Sequence, residues 1–513
     1  MKKFIFWLVL LFLGACHSQK EPKVKNIIFV VGDGMGMQQV AQAITYRQSL
    51  LPHSPPLHME EFLKTGAYSI MTTSSYDSPV TDSASAATTL ACGVKTLVNV
   101  VGIGPDGKEC ESVVDVAQKK GKAIGIVSDT RLTDATPAGF SASAVSRKQE
   151  TKMAEYILRE SNIEVLLNGG GAELIPQNTS FGDIPECQGI APIINHKSHR
   201  SDDMDLIEEA KKKNYSFVCT SDQLEKIDSQ KTEKLLGIFS DTYFPYRLDV
   251  DEAPTIPSLS LMTQKALDIL SRDKDGFFLL VEGGLIDVAA HTNDAASQLA
   301  ETLAFDKALG VVLAYAEKHR DTLVLVTADH ETGGFGIVYM KDPKTHVVTF
   351  PNGATYETDY KLPSYNEAFG LLLKQKKSFK EMLLPMVNRL KEKNGYTEQN
   401  ASKDLMRAIS EHTAYTLTPE QALYVVTAPQ DQNPQKPFGD SPRFQSGSYH
   451  NYGARLNHIL SLQTLNVFSV GTHTSDPVYL FMKGPERVTK NLRGFIDNAE
   501  LGQFMKGTLE RSR

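Results

Sequence analysis

Four short runs of largely apolar, β-branched residues constrain the fold of this chain more than any other feature: Asn26–Val31, Lys122–Ser128, Phe277–Val281 and Thr322–Thr327. Their apolar residues are nearly continuous rather than alternating. That pattern belongs to strands covered on both faces, as in a parallel sheet sandwiched between helices. Helical patterns lie among them, from about Gln38 to Tyr46 and from about Ala296 to His319. Ile163–Leu167 reads as a further strand, with Asn168-Gly169-Gly170-Gly171 as the turn after it. Strands alternating with helices predict an α/β domain.

In such sheets ligands bind at the carboxyl ends of the strands. Asp33 follows the first run, within Gly32-Asp33-Gly34-Met35-Gly36; Glu282 follows the third and Asp329-His330 the fourth. Taken singly, an Asp in a glycine-rich turn is more often a turn residue than a ligand, and no G-K-[ST] follows to make a phosphate loop. Three strand ends that deliver carboxylates to one rim are harder to assign to turns, because buried carboxylates are costly unless paired or on a metal. Asp287 and His291 add an i, i+4 pair on one helical face. His473 lies between two predicted strands, Asn466–Val470 and Val478–Met482. Asp134-Ala135-Thr136-Pro137 places two oxygen side chains before a proline, and Arg147 and Lys148 are read as closing the small-residue helix that follows.

The segment Val80-Thr81-Asp82-Ser83-Ala84-Ser85-Ala86-Ala87-Thr88-Thr89 reads as a tightly packed helix ending before Gly93. Ser83 falls in its first turn, where backbone N–H groups favour an anion. Taken alone it reads first as a helix cap, the commoner role of a serine at a helix start, with a nucleophile as the alternative.

Zinc takes histidine nitrogen and carboxylate oxygen; magnesium takes oxygen only. The candidates divide accordingly. Asp287, His291 and His473 form one mixed set, Asp33, Asp329 and His330 a second, and Asp33, Thr136 and Glu282 an all-oxygen set. With Gly32–Gly36, Thr81–Ala84, Asp134–Ala138, Ser146–Lys148, Val281–His291, Thr327–His330 and His473-Thr474 in this order over roughly 450 residues, the sequence resembles the alkaline phosphatase family. The resemblance implies a three-layer α/β/α sandwich around a large, mostly parallel central sheet. It implies hydrolysis of phosphate monoesters through a phosphoserine on Ser83, at a site with two Zn2+ and one Mg2+. Asp287, His291 and His473 would hold the first zinc, and Asp33, Asp329 and His330 the second. Asp33, Thr136 and Glu282 would hold magnesium, with Asp134 nearby through water. Arg147 would clamp phosphate, with Asp82 beside it. Val288 stands where many members carry Lys, His or Trp, and Asp134 where some carry His. Alternatives are a phosphodiesterase of the same superfamily, or a non-catalytic metal- or phosphate-binding lipoprotein. A sulfatase would need a C-x-P-x-R segment, which no cysteine here provides.

From about 335 to 449 the pattern changes to helix starts such as Ser364-x-x-Glu367 and Thr418-Pro419-x-Gln421, with a Pro/Gln/Gly-rich loop from 430 to 446. This reads as a mainly helical insertion, a crown or lid, within a catalytic domain spanning 26–513. At the other end, Lys2 and Lys3 precede the apolar run Phe4–Leu13, too short to span a bilayer, and Leu13-Gly14-Ala15-Cys16 resembles a bacterial lipobox. Residues 1–15 then read as a lipoprotein signal peptide and 16–25 as a tether. Lipid on Cys16 would hold the chain to a membrane of the cell envelope, facing the periplasm or exterior. The remaining cysteines allow two disulfides, for which the local pairs Cys92–Cys110 and Cys187–Cys219 are preferred. A net charge of −7 without a basic patch argues against nucleic-acid binding. Homodimerisation is left open.

Overall fold

The predicted strands meet in one ten-stranded sheet. The structure is a computed structural model that describes residues 23–250, 254–361, 364–392, 394–427 and 449–511. The proposed signal peptide, Cys16, most of the tether and the 430–446 loop lie outside the described residues. In chain order the strands are β1 (Asn26–Gly32), β2 (Tyr68–Thr72), β3 (Ala123–Arg131), β4 (Val165–Gly169), β5 (Tyr215–Val218), β6 (Lys234–Ile238), β7 (Phe277–Gly283) and β8 (Thr322–Thr327). After them come β9 (Glu331–Thr332), β10 (Phe335–Ile337), β11 (Met340–Thr349), β12 (Thr355–Lys361), β13 (Asn466–Phe468), β14 (His473–Thr474), β15 (Val478–Lys483) and β16 (Gly494–Asp497).

The large sheet runs β16-β2-β15-β8-β1-β7-β3-β4-β6-β5. Only β15 is antiparallel to its neighbours, so the expected mostly parallel sheet is found. The four apolar runs are its centre, β8-β1-β7-β3. They are buried on both sides because helices cover both faces. Phe278 of β7 stacks on Phe140 of the helix Ala135–Ser141. The next residue, Leu279, points the other way and meets Leu270 of the helix Leu259–Leu270 across Gly125. The register places Val31 opposite both Glu282 and Thr327, and Glu282 opposite Ser128. Asp33, Glu282 and Asp329 therefore emerge at one end of three adjacent strands.

The region from 335 differs from the expectation of a mainly helical segment at its start. It opens with β10 and the antiparallel hairpin β11–β12 before the helices Phe379–Lys391, Glu398–His412 and Pro419–Val426. Alternation in β11 and β12 is weak because most of their side chains are exposed, so no apolar period marks them. The helices carry their own core of Phe369, Leu383, Leu405 and Ile409, which packs on Ala295 and Leu299 of the helix Ala295–Lys318. Among the described residues no helix is long and apolar enough to cross a membrane.

Both locally paired disulfides are present, Cys92–Cys110 and Cys187–Cys219. Cys92 is the last residue of the helix Ser83–Cys92, so its bridge ties down the far end of the helix that begins at Ser83. Replacing Cys92 and Cys110 by alanine is expected to lower stability by about 3 kcal/mol, from the loop-closure entropy returned to the unfolded chain. Urea unfolding of the oxidised wild type against the double variant measures it.

Candidate active site

Ser83 is the first residue of its helix, and the cap is the residue before it. Asp82 accepts from the Ser85 backbone N–H (3.1 Å), which removes the capping role from Ser83. The Ser83 side chain is buried and its Oγ lies 3.1 Å from His330 Nε2.

Three histidines converge, each oriented through its other ring nitrogen. His291 Nδ1 donates to the Gly471 carbonyl (2.8 Å) and His473 Nδ1 to the Thr81 carbonyl (2.9 Å). A carbonyl can only accept, so both rings carry a proton on Nδ1 and turn Nε2 toward the site; against burial, the Asp287 carboxylate beside His291 Nε2 raises that imidazole. His330 Nδ1 lies 3.2 Å from the Thr332 hydroxyl, whose own proton goes to Asp287, so His330 also offers Nε2. Anchoring of this kind is how metal-ligating histidines are held. Burial pushes the His330 imidazole down to about 4 and, together with the neighbouring His330, the His473 imidazole down to about 3. Both rings are neutral at physiological pH, the form that ligates.

The ligand atoms are spaced for a metal. His291 Nε2 is 3.2 Å from Asp287 Oδ2 and 3.2 Å from His473 Nε2, and His473 Nε2 is 3.8 Å from Asp287 Oδ1. His330 Nε2 is 3.1 Å from Asp329 Oδ2 and 3.6 Å from Asp33 Oδ1. Zinc with bonds near 2.0–2.1 Å and tetrahedral angles sets its ligands roughly 3.3 Å apart. Two groups, Asp287/His330/His473 and Asp33/Asp329/His330, each bring three ligand atoms within 4.8 Å of one another. His330 belongs to both, which places it between the two positions.

The buried polar atoms argue the same way. Asp33 Oδ1, Asp329 Oδ2 and the Thr136 hydroxyl are buried without a hydrogen-bond partner, although such groups are almost always satisfied. Burial, and then repulsion from Asp329 and Asp287, raises the Asp33 carboxyl well above the usual carboxylate range. Asp329 is pushed up to about 6 by burial and by Asp287. Glu282 accepts from Ser128 and Thr130. Burial pushes its carboxyl up to about 8, and Asp134 and Asp129 add to this. Crowded, desolvated carboxylates are stable as anions only beside cations, so the donor set fits divalent metal ions.

Arg147 is not at a helix terminus. The helix Ala135–Ser141 ends six residues earlier, and Arg147 sits in the loop beyond it. A helix-dipole role is thereby removed. Its Nη1 donates to Asp82 Oδ2 (3.3 Å) and its Nη2 to Asp134 Oδ1 (3.0 Å), while its backbone N–H holds the Asn99 carbonyl. Asp134 caps the helix that carries Thr136. His473 lies between β13 and β15, as the sequence predicts, and is itself in a short strand: β14 pairs antiparallel with β9 and sets His473 opposite Thr332. Its ring stacks on His330 with centroids 3.6 Å apart. All the residues singled out for the site thus gather at one end of the sheet. The sequence reading missed the groups that aim them: Thr332 and the carbonyls of Gly471 and Thr81. A carbonyl carries no residue signature, and Thr332 next to the Asp329-His330 pair was the one available signal.

Glycine is required where the loop after β1 approaches Asp287. Gly34 has φ +68°, and a Cβ there would lie 2.8 Å from Asp287 Cα.

A sequence profile described as "Alkaline phosphatase" matches residues 24–435. The "Repressible alkaline phosphatase" of Saccharomyces cerevisiae is 37% identical over 329 residues, covering 61% of this chain and 56% of that protein. This chain thus spans little more than half of that relative's length. The "Alkaline phosphatase" of Schizosaccharomyces pombe is 29% identical over 506 residues, covering 96% of this chain and 82% of that protein. The crystal structure of Thermus thermophilus alkaline phosphatase matches with a TM-score of 0.74 at 27% identity, over 98% of this chain and 96% of that one.

Proposed function

The chain belongs to the alkaline phosphatase family, and on that premise we propose that it hydrolyses phosphate monoesters to alcohol and inorganic phosphate through a phosphoserine on Ser83. The proposed site holds two Zn2+ and one Mg2+. The first zinc takes Asp287, His291 and His473, and the second Asp33, Asp329 and His330. Magnesium takes Asp33, Thr136 and Glu282, with Asp134 close by. The observation that carries the reading is the 3.1 Å approach of Ser83 Oγ to His330 Nε2, the nitrogen that also lies 3.1 Å from Asp329 Oδ2 and 3.6 Å from Asp33 Oδ1. On this reading Ser83, at a helix start and beside the proposed second zinc position, acts as the nucleophile, while Asp82 caps the helix.

When bound, these ions supply charge neutralisation for the nucleophile, the leaving oxygen and the attacking water. The protein's own part is positional. Attack by Ser83 Oγ forms the Oγ–P bond as the ester P–O bond breaks and the alcohol leaves. Water then attacks the same phosphorus, the Oγ–P bond breaks, and phosphate departs. Asp82 and Asp134 hold the Arg147 guanidinium, whose remaining N–H donors are available to two phosphoryl oxygens. The helix N-terminus at Ser83 adds favourable partial charge.

Arg147→Ala is expected to raise the phosphate inhibition constant roughly 10- to 100-fold, the equivalent of losing charge-assisted hydrogen bonds, with measurable turnover retained. Unchanged product inhibition would remove the clamp role. The activity itself is tested with the metal-loaded full chain on p-nitrophenyl phosphate and bis(p-nitrophenyl) phosphate. Faster cleavage of the monoester is expected. Preference for the diester would move the assignment to a phosphodiesterase, and turnover of neither to a metal- or phosphate-binding protein.

The proposed organisation is a signal peptide at 1–15, a tether at 16–25 and a catalytic domain at 26–513 with an insertion at about 335–449. Lipid on Cys16 would keep the enzyme at the cell envelope. A relative from Bombyx mori carries the name "Membrane-bound alkaline phosphatase".

A further inference from the structure

We propose that Glu331 is a positioning residue for the metal-ligand cluster, locking together the three chain segments that supply Asp33, Asp329-His330 and His473. The proposal rests on the metal reading of the site and assigns Glu331 no contact with metal or substrate.

Glu331 is 2% exposed, and no Lys or Arg among the described residues forms an ion pair with it. Its charge is instead met by four donors from three stretches of chain, around residues 39, 334–335 and 474. Oε1 accepts from Gln39 Nε2 (2.9 Å) and from the Phe335 backbone N–H (3.3 Å). Oε2 accepts from the Gly334 backbone N–H (3.1 Å) and from the Thr474 hydroxyl (2.5 Å). Gln39 lies in the helix that follows the Asp33 loop, and its amide also holds the Thr332 carbonyl. Thr474 is the residue after His473, and β9–β14 pairing sets it opposite Glu331. Glu331 itself follows His330 directly.

The Asp33 loop is packed against the same side chain. A Cβ on Gly36 would lie 2.2 Å from Glu331 Cγ, so glycine is what lets that loop close on it. The loop is joined to the Asp329 segment a second time, by Gly34 N–H to Asp329 Oδ1 (3.1 Å) and Thr332 N–H to the Gly34 carbonyl (3.2 Å). Four converging donors select a carboxylate, which only accepts. An amide of the same shape would turn its NH2 toward two of them and open the junction. Loss of such outer supports typically weakens metal affinity about 10- to 100-fold.

The test compares full-length wild type with Glu331→Gln and Thr474→Val. Zinc affinity is measured on the metal-stripped proteins by competition with a chromophoric chelator, after circular dichroism has established that each is folded. A purely structural role would lower the unfolding temperature and leave zinc affinity of the folded protein as in wild type. The positioning role predicts a roughly 10- to 100-fold weaker zinc affinity in Glu331→Gln. It predicts a smaller loss in Thr474→Val, which deletes only the link to the His473 strand. The visible spectrum of the cobalt-substituted protein should shift in both. Wild-type zinc affinity in the folded variants overturns the proposal, and Thr474→Val decides alone where Glu331→Gln does not fold. A wild type that takes up no zinc overturns the metal reading, and this proposal with it.

Discussion

Replacing Ser83 with alanine is expected to abolish the phosphoenzyme and to lower turnover by about 10³-fold or more, the scale seen when an activated nucleophile is removed from a site that keeps its other groups. The fold should survive. Asp82, not Ser83, caps the helix, and the neighbours Ala84, Ser85 and Ala86 pack without help from the Ser83 hydroxyl. Zinc content should also survive, because the side chains proposed as zinc ligands lie on other segments. Rapid acid quench with a 32P-labelled monoester gives the covalent fraction, and metal analysis of the same preparation gives occupancy. Full turnover with alanine at position 83 would end the nucleophile assignment.

Stripping the metals with a chelator is expected to remove activity and to lower stability. Each ion held at a thousand times its dissociation constant contributes about 4 kcal/mol to the folded state, so the effect on thermal unfolding should be large and reversed by Zn2+ with Mg2+. The stripped protein should also acquire an inverted pH dependence. Asp329 and Glu282 are raised to about 6 and about 8 when no cation is present, chiefly by burial. A carboxyl whose folded value exceeds its unfolded value binds protons more tightly in the folded chain. Stability is then lost as pH rises from the unfolded carboxylate range through those folded values. The stripped protein should therefore unfold at lower temperature at pH 8 than at pH 6.5, a window above the range in which the depressed His330 and His473 act in the opposite sense, and metal loading should reduce the difference. Calorimetry of both forms at the two pH values checks the sign. Equal unfolding temperatures of the loaded and stripped proteins would contradict a metal-supported site.

The parts of the site legible in the sequence were those with a strong local cause. Asp33, Glu282 and Asp329 stand at the ends of runs too apolar to be anything but two-faced strands, and Asp287 and His291 carry helical spacing. The misreadings had physical reasons as well. Arg147 was placed at a helix end because small residues precede it, yet the helix stops at Ser141 and the extended backbone of Ala142 and the Ala144–Val101 bridge carry the chain away. β11 and β12 were absorbed into a helical region because exposed strands need no apolar alternation. The two-residue β14 that carries His473 has no signature of its own in the sequence, because it is held by its partner β9, far away along the chain.

The sequence by itself determined the α/β class, the strand ends that face the site and the residue types able to bind metal and phosphate, because periodicity and turn chemistry act over a few residues. Which strand lies next to which was decided only in the tertiary structure: β1 between β8 and β7 is what turns three separate carboxylates into one rim. The tertiary structure alone also decided which nitrogen each histidine presents, through the Gly471 and Thr81 carbonyls, and the junction at Glu331 that joins residues 39, 334, 335 and 474. Apart from those of Gly334 and Phe335, such contacts join groups more than a hundred residues apart, and no local pattern in a chain encodes them.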